Sequence, residues 1–204
     1  MIRLPFVEPS DVAEAVATGI AVVARGGVIL LPTESFYGLG CDPRSEAGVA
    51  RVFSIKDRPP ELSLPVLCAD WQQLESLVVV PGSYRTKLSR LWPAAVTVVL
   101  PTVVDLPAAR CSTLAVRIPE HAELRALLYR VGPLTGTSAN RHGDPPVTTV
   151  DRALASLTEA PDLALDAGAT VGGEASTLVD LCRDEPEILR PGARTWEEPY
   201  PNSC

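Results

Sequence analysis

Lysine is scarce in this chain of 204 residues: of its 18 cationic side chains only Lys56 and Lys87 are lysines. Aromatic residues make up 5% and the formal net charge is −7. These shortages argue against a protein that grips nucleic acid through a broad basic surface or a base-stacking platform, and leave room only for a local basic pocket. There are two histidines, His121 and His142, and they lack metal-ligand spacing. The five cysteines, Cys41, Cys68, Cys111, Cys182 and Cys204, are odd in number and form no paired motif. That pattern speaks for a reduced, intracellular protein with neither a disulfide framework nor a zinc site. No apolar run reaches membrane-spanning length, and Pro5 and Glu8 interrupt the N-terminus where a signal peptide needs an apolar core. The expected setting is the cytoplasm, with no membrane partner. Also missing are a nucleophile elbow, a Ser-His-Asp set, a Walker-type phosphate loop and a dinucleotide-binding glycine fingerprint.

What is present is an ordinary globular composition, 46% hydrophobic and 21% charged, on a chain that suits one domain with a sizeable core. Ser10 is placed to cap a helix through Val12, Val16, Ile20 and Val23, with Gly26-Gly27 as its stop. Residues 28–31 form a continuous apolar run that suits a buried strand, and the polar, glycine-rich segment 33–40 leaves it. Ser45 opens a helix ending at Lys56; residues 62–68 read as a strand; Asp70, with Gln73 three residues on, caps a short helix. Pro81 begins a helix to Leu91. Residues 95–100, 113–118 and 133–138 read as strands, residues 120–130 as an amphipathic helix, and Thr148 or Thr149 caps a helix through Leu157. Residues 163–166, 176–181 and 187–189 read as late strands. Helices and strands alternate early and strands gather late, which predicts one α/β domain with a mixed sheet. The tail from Thr195 is expected to be loosely held.

Four polar segments stand at the ends of these elements: residues 33–37, Lys56-Asp57-Arg58-Pro59, Ser138-Ala139-Asn140, and Ser176-Thr177 with Arg190. Lys56 and Arg58 at a helix end can hold an anion, the arginine through a flat fork and the lysine as a point charge. They equally suit a solvated helix end offsetting the macrodipole. Glu34 could be a base or a metal ligand, although one carboxylate beside a turn is more often a capping or surface residue. Ser138 and Thr148 equally suit caps, and Ser176 a strand start. In open α/β sheets ligands bind beyond the carboxyl ends of strands, where several of these segments fall.

Taken in order, Pro32-Thr33-Glu34-Ser35-Phe36-Tyr37-Gly38-Leu39-Gly40, Lys56-Asp57-Arg58-Pro59, Ser138-Ala139-Asn140, Ser176-Thr177-Leu178-Val179-Asp180 and Leu189-Arg190-Pro191-Gly192 closely resemble the YrdC/Sua5 family of threonylcarbamoyl-AMP synthases. The resemblance runs from about Val7 to Arg194 and is to the short, single-domain form. It implies a single YrdC-like domain over residues 1–204, with a core over about 7–194 and a twisted mixed sheet flanked by helices around an open ligand cavity. It also implies a nucleotidyltransferase reaction. The amino group of L-threonine takes up bicarbonate or CO2, the carbamate attacks the α-phosphate of ATP, and pyrophosphate leaves. A separate transferase system passes the product to tRNA adenosine 37 as the t6A modification. By the family pattern Lys56 and Arg58 are catalytic and face the triphosphate. Thr113, Asn140, Thr148 and Arg190 join them at ATP, and Ser35, Arg117, Ser138 and Ser176 contact threonine. ATP is the substrate and Mg2+ is expected to arrive with it, with no metal site of the protein's own. Two positions depart from the longer members: Leu62 stands for an asparagine that touches ATP, and Leu67 for a histidine that contacts threonine. The rival expectations are an RNA-binding, translation-associated protein of the same family, and a relative that makes a carbamoyl-adenylate from another acceptor.

Overall fold

The computed structural model describes residues 1–196 apart from Arg110 and Asp184, so Pro199 and Pro201, placed in the predicted tail, lie outside the described residues. The chain begins with an edge strand, β1 (Ile2–Pro5), that its composition did not reveal. Helix α1 spans Pro9–Ala24 and starts ahead of Ser10. The Asp11 carboxylate accepts the backbone N–H groups of Val7 and Glu8, each at 2.9 Å, so Asp11 supplies the cap expected of Ser10. Its predicted stop holds, with Gly26 at φ +71°.

Strands β2 (Ile29–Pro32) and β3 (Tyr37–Gly40) form an antiparallel hairpin. The second strand falls on the polar, glycine-rich segment expected to leave the first. Its glycines are needed for close approach: a Cβ on Gly40 would lie 2.7 Å from the Leu31 side chain. Helix α2 (Glu46–Lys56) begins as expected, with the Ser45 hydroxyl accepting from Gly48 N–H at 3.1 Å, and ends where Asp57 turns left-handed at φ 49°. Of the strand expected over 62–68 only β4 (Val66–Leu67) pairs in a ladder, since Pro65 has no N–H to give. Asp70 caps α3 (Trp71–Glu75) as predicted. There follow α4 (Gly82–Leu91), β5 (Val96–Pro101), β6 (Thr113–Arg117), α5 (Ala122–Val131), β7 (Leu134–Thr135), β8 (Thr137–Ser138), α6 (Val150–Ser156), β9 (Leu163–Asp166), β10 (Thr177–Asp180) and β11 (Glu187–Arg190). Thr149, rather than Thr148, caps α6 by accepting from Arg152 N–H.

The strands form two mixed sheets, ordered β1-β9-β2-β3-β8 and β11-β10-β5-β6-β4-β7. The continuous apolar run predicted for β2 is explained by burial on both faces: Leu30 joins one core with Leu39, Val52 and Ala153, while Ile29 and Leu31 join another with Leu124, Leu127 and Val22 of the flanking helices. The sheets meet at residues 134–138, within the span 133–138 expected as one strand. Leu134 and Thr135 pair with β4 in the second sheet, and Thr137 and Ser138 pair with β3 in the first. Gly136 makes the step, because a Cβ there would sit 2.4 Å from Leu67 Cγ. Past Thr195, where a loose tail was expected to begin, Trp196 is 6% exposed and packs near Tyr84.

Candidate functional site

A cavity of about 410 Å³ opens between the two sheets. One wall comes from β3, β8 and the turn ahead of β3, the other from β5, β6, β10 and β11. The turn is shaped by Thr33, whose hydroxyl donates to the Phe36 carbonyl at 2.7 Å, while Thr33 N–H bonds the same carbonyl at 3.1 Å. This hairpin tip presents Thr33, Ser35 and Phe36 to the cavity.

Six of the ten residues predicted for the site line this one cavity: Ser35, Arg58, Arg117, Ser138, Ser176 and Arg190. Three guanidiniums therefore face one space from three separate elements. Arg58 follows the left-handed end of α2 and turns back. It donates to the Ser63 carbonyl at 2.9 Å and to the Thr137 hydroxyl at 3.4 Å, and its buried Nε–H has no partner among the described residues. Burial pulls its pKa below the usual arginine value. Arg190 closes the far side from β11, donating to the Ser176 carbonyl at 2.8 Å. Its pKa is also lowered, by desolvation and then by the charge of Arg117. Arg117, at the end of β6, is 7% exposed and ion-paired through Nη1 with Glu34 Oε1.

The other four predicted residues stand outside the lining. Lys56 is 1% exposed and donates to the backbone carbonyls of Ser138 and Asn140. It therefore points into the wall behind the site, tying the Ser138–Asn140 turn to the end of α2. Burial, and then the charge of Arg58, bring its pKa down to about 8. Asn140 donates to the carbonyls of Arg141 at 2.8 Å and Asp144 at 2.7 Å, holding its own loop, while its Oδ1 is buried without a partner. Thr113 lies at the opposite end of β6 from Arg117, although strand alternation puts it on the same face. Thr148 uses its backbone carbonyl to hold Thr170 N–H at 2.9 Å.

Sequence reasoning missed Thr97 and underrated Glu34. The Thr97 and Ser176 hydroxyls bond at 2.8 Å across β5 and β10, and both residues line the cavity. The available signal was a single hydroxyl in an apolar strand, Val96-Thr97-Val98-Val99. Glu34 is no surface cap: its side chain is 15% exposed and its second oxygen, Oε2, is buried without a partner. Leu62 and Leu67, the departures from the longer members, do not line the cavity; Leu62 is 39% exposed and Leu67 is 1% exposed beneath Gly136. Among the described residues no three His, Cys, Asp or Glu side chains gather as a metal cluster, and no helix is long and apolar enough to cross a membrane.

Known proteins resemble this chain in sequence and in fold. The Sua5/YciO/YrdC family, described as telomere recombination, matches residues 21–192. A threonylcarbamoyl-AMP synthase of Chromohalobacter salexigens is 35% identical over 178 residues, covering 84% of this chain and 95% of its own. One of Bacillus subtilis is 33% identical over 189 residues, covering 90% of this chain and 55% of its own. The structure of P. abyssi Sua5 in complex with L-threonine superposes with a TM-score of 0.86 at 29% identity, over 94% of this chain and 58% of that one. The chain thus spans little more than half the length of the longer relatives it matches. It belongs to the Sua5/YciO/YrdC family of adenylate-forming enzymes and is a homologue of the threonylcarbamoyl-AMP synthases.

Proposed function

We propose that the chain is an L-threonylcarbamoyladenylate synthase, a nucleotidyltransferase that makes threonylcarbamoyl-AMP and pyrophosphate from L-threonine, bicarbonate or CO2, and ATP. The product would feed the t6A modification of tRNA adenosine 37 through a separate transferase system. The observation that carries this reading is the convergence of Arg58, Arg117 and Arg190 with the hydroxyls of Ser35, Thr97, Ser138 and Ser176 on one cavity. Its volume, about 410 Å³, falls in the range of small-molecule pockets. The names of the relatives, and the threonine held by P. abyssi Sua5, support the substrate.

The chemistry asks for little beyond positioning. A carbamate oxygen attacks the α-phosphorus, pyrophosphate leaves, and no covalent enzyme intermediate is needed. Charge on the phosphoryl group must be met by fixed cations in a space with little water. Arg58 fits that role: its guanidinium is braced from behind by Ser63 and Thr137, and its Nε–H is unspent. Arg190 would meet the anion from the opposite wall and Arg117 would take the threonine carboxylate, with the serine hydroxyls as directional donors and acceptors. Among the described residues the lining contains no carboxylate or imidazole. A Mg2+ ion would therefore be held by the phosphates of ATP and water, where it offsets the charge of the departing pyrophosphate.

The test is pyrophosphate release from ATP with amino acids supplied one at a time, with bicarbonate present or removed, and detection of the adenylate by mass spectrometry. Turnover that requires both L-threonine and bicarbonate is the expected result. Equal turnover with serine, or none with threonine, would overturn the substrate assignment.

A further inference from the structure

Helix α1 is apolar nearly all the way round. Among its sixteen residues only Asp11 and Glu14 are charged, and the Asp11 carboxylate is engaged by the N–H groups of Val7 and Glu8. The inner side, with Ala15, Gly19 and Val22, is buried. The outer side, with Ala13, Ala17 and Ile20, is exposed to solvent, Ile20 by 46%. A helix that is hydrophobic all round is one that packs on all sides. The outer side of α1 has no such packing among the described residues. Helix α5 runs beside α1 in the same direction. The Phe6 and His121 rings, just ahead of the two helices, lie 6.2 Å apart, and towards the other end a Cβ on Gly19 would come 3.4 Å from Val131. Between the two helices lies a groove of about 720 Å³. Half-buried Val12 and Val16 line it from α1, and Ala126, Tyr129 and Arg130 line it from α5. Tyr129 is 67% exposed. Val7, 58% exposed, continues the apolar surface ahead of Pro9, where the groove begins.

A contiguous apolar surface of this kind marks a place where another macromolecule docks. Its chemistry points to a second copy of the same chain. A two-fold interface sets one patch against itself, so the patch must hold both a recess and the side chain that fills it, and both signs of charge. The groove is the recess. Tyr129 at its rim is the kind of side chain that anchors an interface, with Ile20 as apolar bulk beside it. The small side chains of Ala13, Ala17 and Ala126 let helices of two copies approach to about 8 Å, the short end of helix-packing distances. Both signs of charge are present and free. Glu14 on α1 and Arg130 on α5 are exposed, and neither has a hydrogen-bond or ion-pair partner among the described residues. The other charges of α5 are engaged, Glu123 with His121 and Arg125 with the carbonyls of Pro119 and Glu120. One free acid and one free base on one patch complement the same patch on another copy; an acidic or a basic partner would be met by a patch of a single sign.

We propose that the α1–α5 face is the contact between two copies of this chain in a two-fold dimer. Tyr129 of each copy enters the groove of the other, and Glu14 of each meets Arg130 of the other. The described lining of the cavity between the sheets contains no residue of α1 or α5, so docking at this face does not occupy that cavity. The dimer is therefore independent of the reaction assigned to it.

Sedimentation velocity of the full chain over a concentration series reads the association directly. The expected result is a species of twice the chain mass that grows with concentration. Ala17→Glu places an unpaired charge on the apolar face and should weaken association at least about tenfold. Tyr129→Ala should also weaken it at least about tenfold, as the loss of an anchoring aromatic does. Glu14→Arg alone, or Arg130→Glu alone, sets like charges against each other and should weaken association about threefold to tenfold at low salt. The double variant Glu14→Arg/Arg130→Glu exchanges the signs and should return to within about twofold of wild type. All four positions are exposed, and far-UV circular dichroism checks that each variant keeps the fold. Wild-type protein that stays at the mass of one chain up to about 1 mM overturns the proposal. A dimer that neither Ala17→Glu nor Tyr129→Ala weakens also overturns it, because that dimer forms through another face. Recovery in the double variant supports a second copy as the occupant, and a double variant as weak as the singles overturns the pairing of Glu14 with Arg130.

Discussion

The Lys56 ammonium, almost wholly buried, donates to the backbone carbonyl of Asn140 at 2.6 Å and also to that of Ser138. The signature lysine thus acts here as a brace between α2 and the turn that carries Ser138 to the cavity. Its removal by Lys56→Ala leaves two carbonyls without their charged donor. At about 1–3 kcal/mol for each unsatisfied buried group, the variant should lose about 2–6 kcal/mol of stability. Urea unfolding measures this directly. Activity should fall with it, through displacement of Ser138. Lost activity with unchanged stability would instead support the expectation from sequence, that Lys56 faces the triphosphate.

The same burial sets a pH dependence. Lys56 ordinarily titrates at 10.5 and is brought to about 8 in the folded protein, by desolvation first and then by Arg58. Between those values the unfolded chain holds the proton more firmly than the folded one, so raising the pH through this window favours the folded state. The gain has an upper limit of about 1.4 kcal/mol per pH unit. Lys56→Met has no such group. The difference in unfolding free energy between wild type and Lys56→Met should therefore move in favour of wild type as pH rises from about 8 towards 10.5. A constant difference across that window would mean that the two carbonyl bonds hold the Lys56 pKa near its ordinary value.

Much of this was legible beforehand, and what was not has a common cause. Ser45 and Asp70 cap the helices that their spacing promised, because a cap is a bond between residues three apart. Strand β9 falls on the residues predicted, bounded by an apolar run. The family resemblance implied that Arg58, Arg117 and Arg190 serve one site, and they do share a cavity. Spacing, however, carries no direction. Lys56 and Arg58 leave the same helix end two residues apart, and the left-handed Asp57 between them sends one into the wall and the other into the cavity. The pairing of Glu34 with Arg117 is equally invisible, since it depends on two sheets meeting and not on local sequence.

Arg58 is the residue whose substitution should separate binding from stability. Arg58→Lys retains a charge but loses the planar fork that reaches Ser63, Thr137 and an anion at once. With a hydrogen bond to a charged group at about 1.5–3 kcal/mol, kcat/KM for ATP should fall about tenfold to a hundredfold. Stability should change by less than about 1 kcal/mol, because the protein partners are one carbonyl and one long contact near the surface of the cavity. Steady-state pyrophosphate release and thermal melts, read together, check both halves.

The crossing between the sheets offers a test of geometry alone. Gly136 has no space for a side chain, since an added Cβ would meet three atoms of Leu67 at 2.4 to 2.9 Å. Gly136→Ala should cost about 1–3 kcal/mol by forcing Leu67 or β4 aside. Leu67→Ala alone should also destabilise, by about 2–5 kcal/mol, through the cavity it leaves. The two changes share one volume, so the double variant should be less destabilised than the sum, with a coupling of at least about 0.5 kcal/mol. Additive losses in urea unfolding would show that Gly136 is held for its backbone and not for the room that Leu67 requires.

Trp196 tests whether residues 194–196 belong to the folded core. Its ring is 6% exposed, lies 6.4 Å from the ring of Tyr84, and is covered by the Lys87 ammonium at 4.0 Å from its centroid. Thr177 reaches the same segment by donating its hydroxyl to the Arg194 carbonyl, so residues 194–196 bridge β10 and α4. A side chain of this size buried against α4 should contribute about 3–5 kcal/mol, and Trp196→Ala should lower the melting temperature accordingly. Lys87→Ala removes the cation above the ring, a contact that should contribute about 0.5–1 kcal/mol. In the Trp196→Ala background, Lys87→Ala should cost less by about that amount, because its aromatic partner is gone. A full Lys87→Ala loss in that background would show that Lys87 stabilises α4 independently of Trp196. An unchanged melting temperature for Trp196→Ala would return this segment to the loose tail that its prolines suggested.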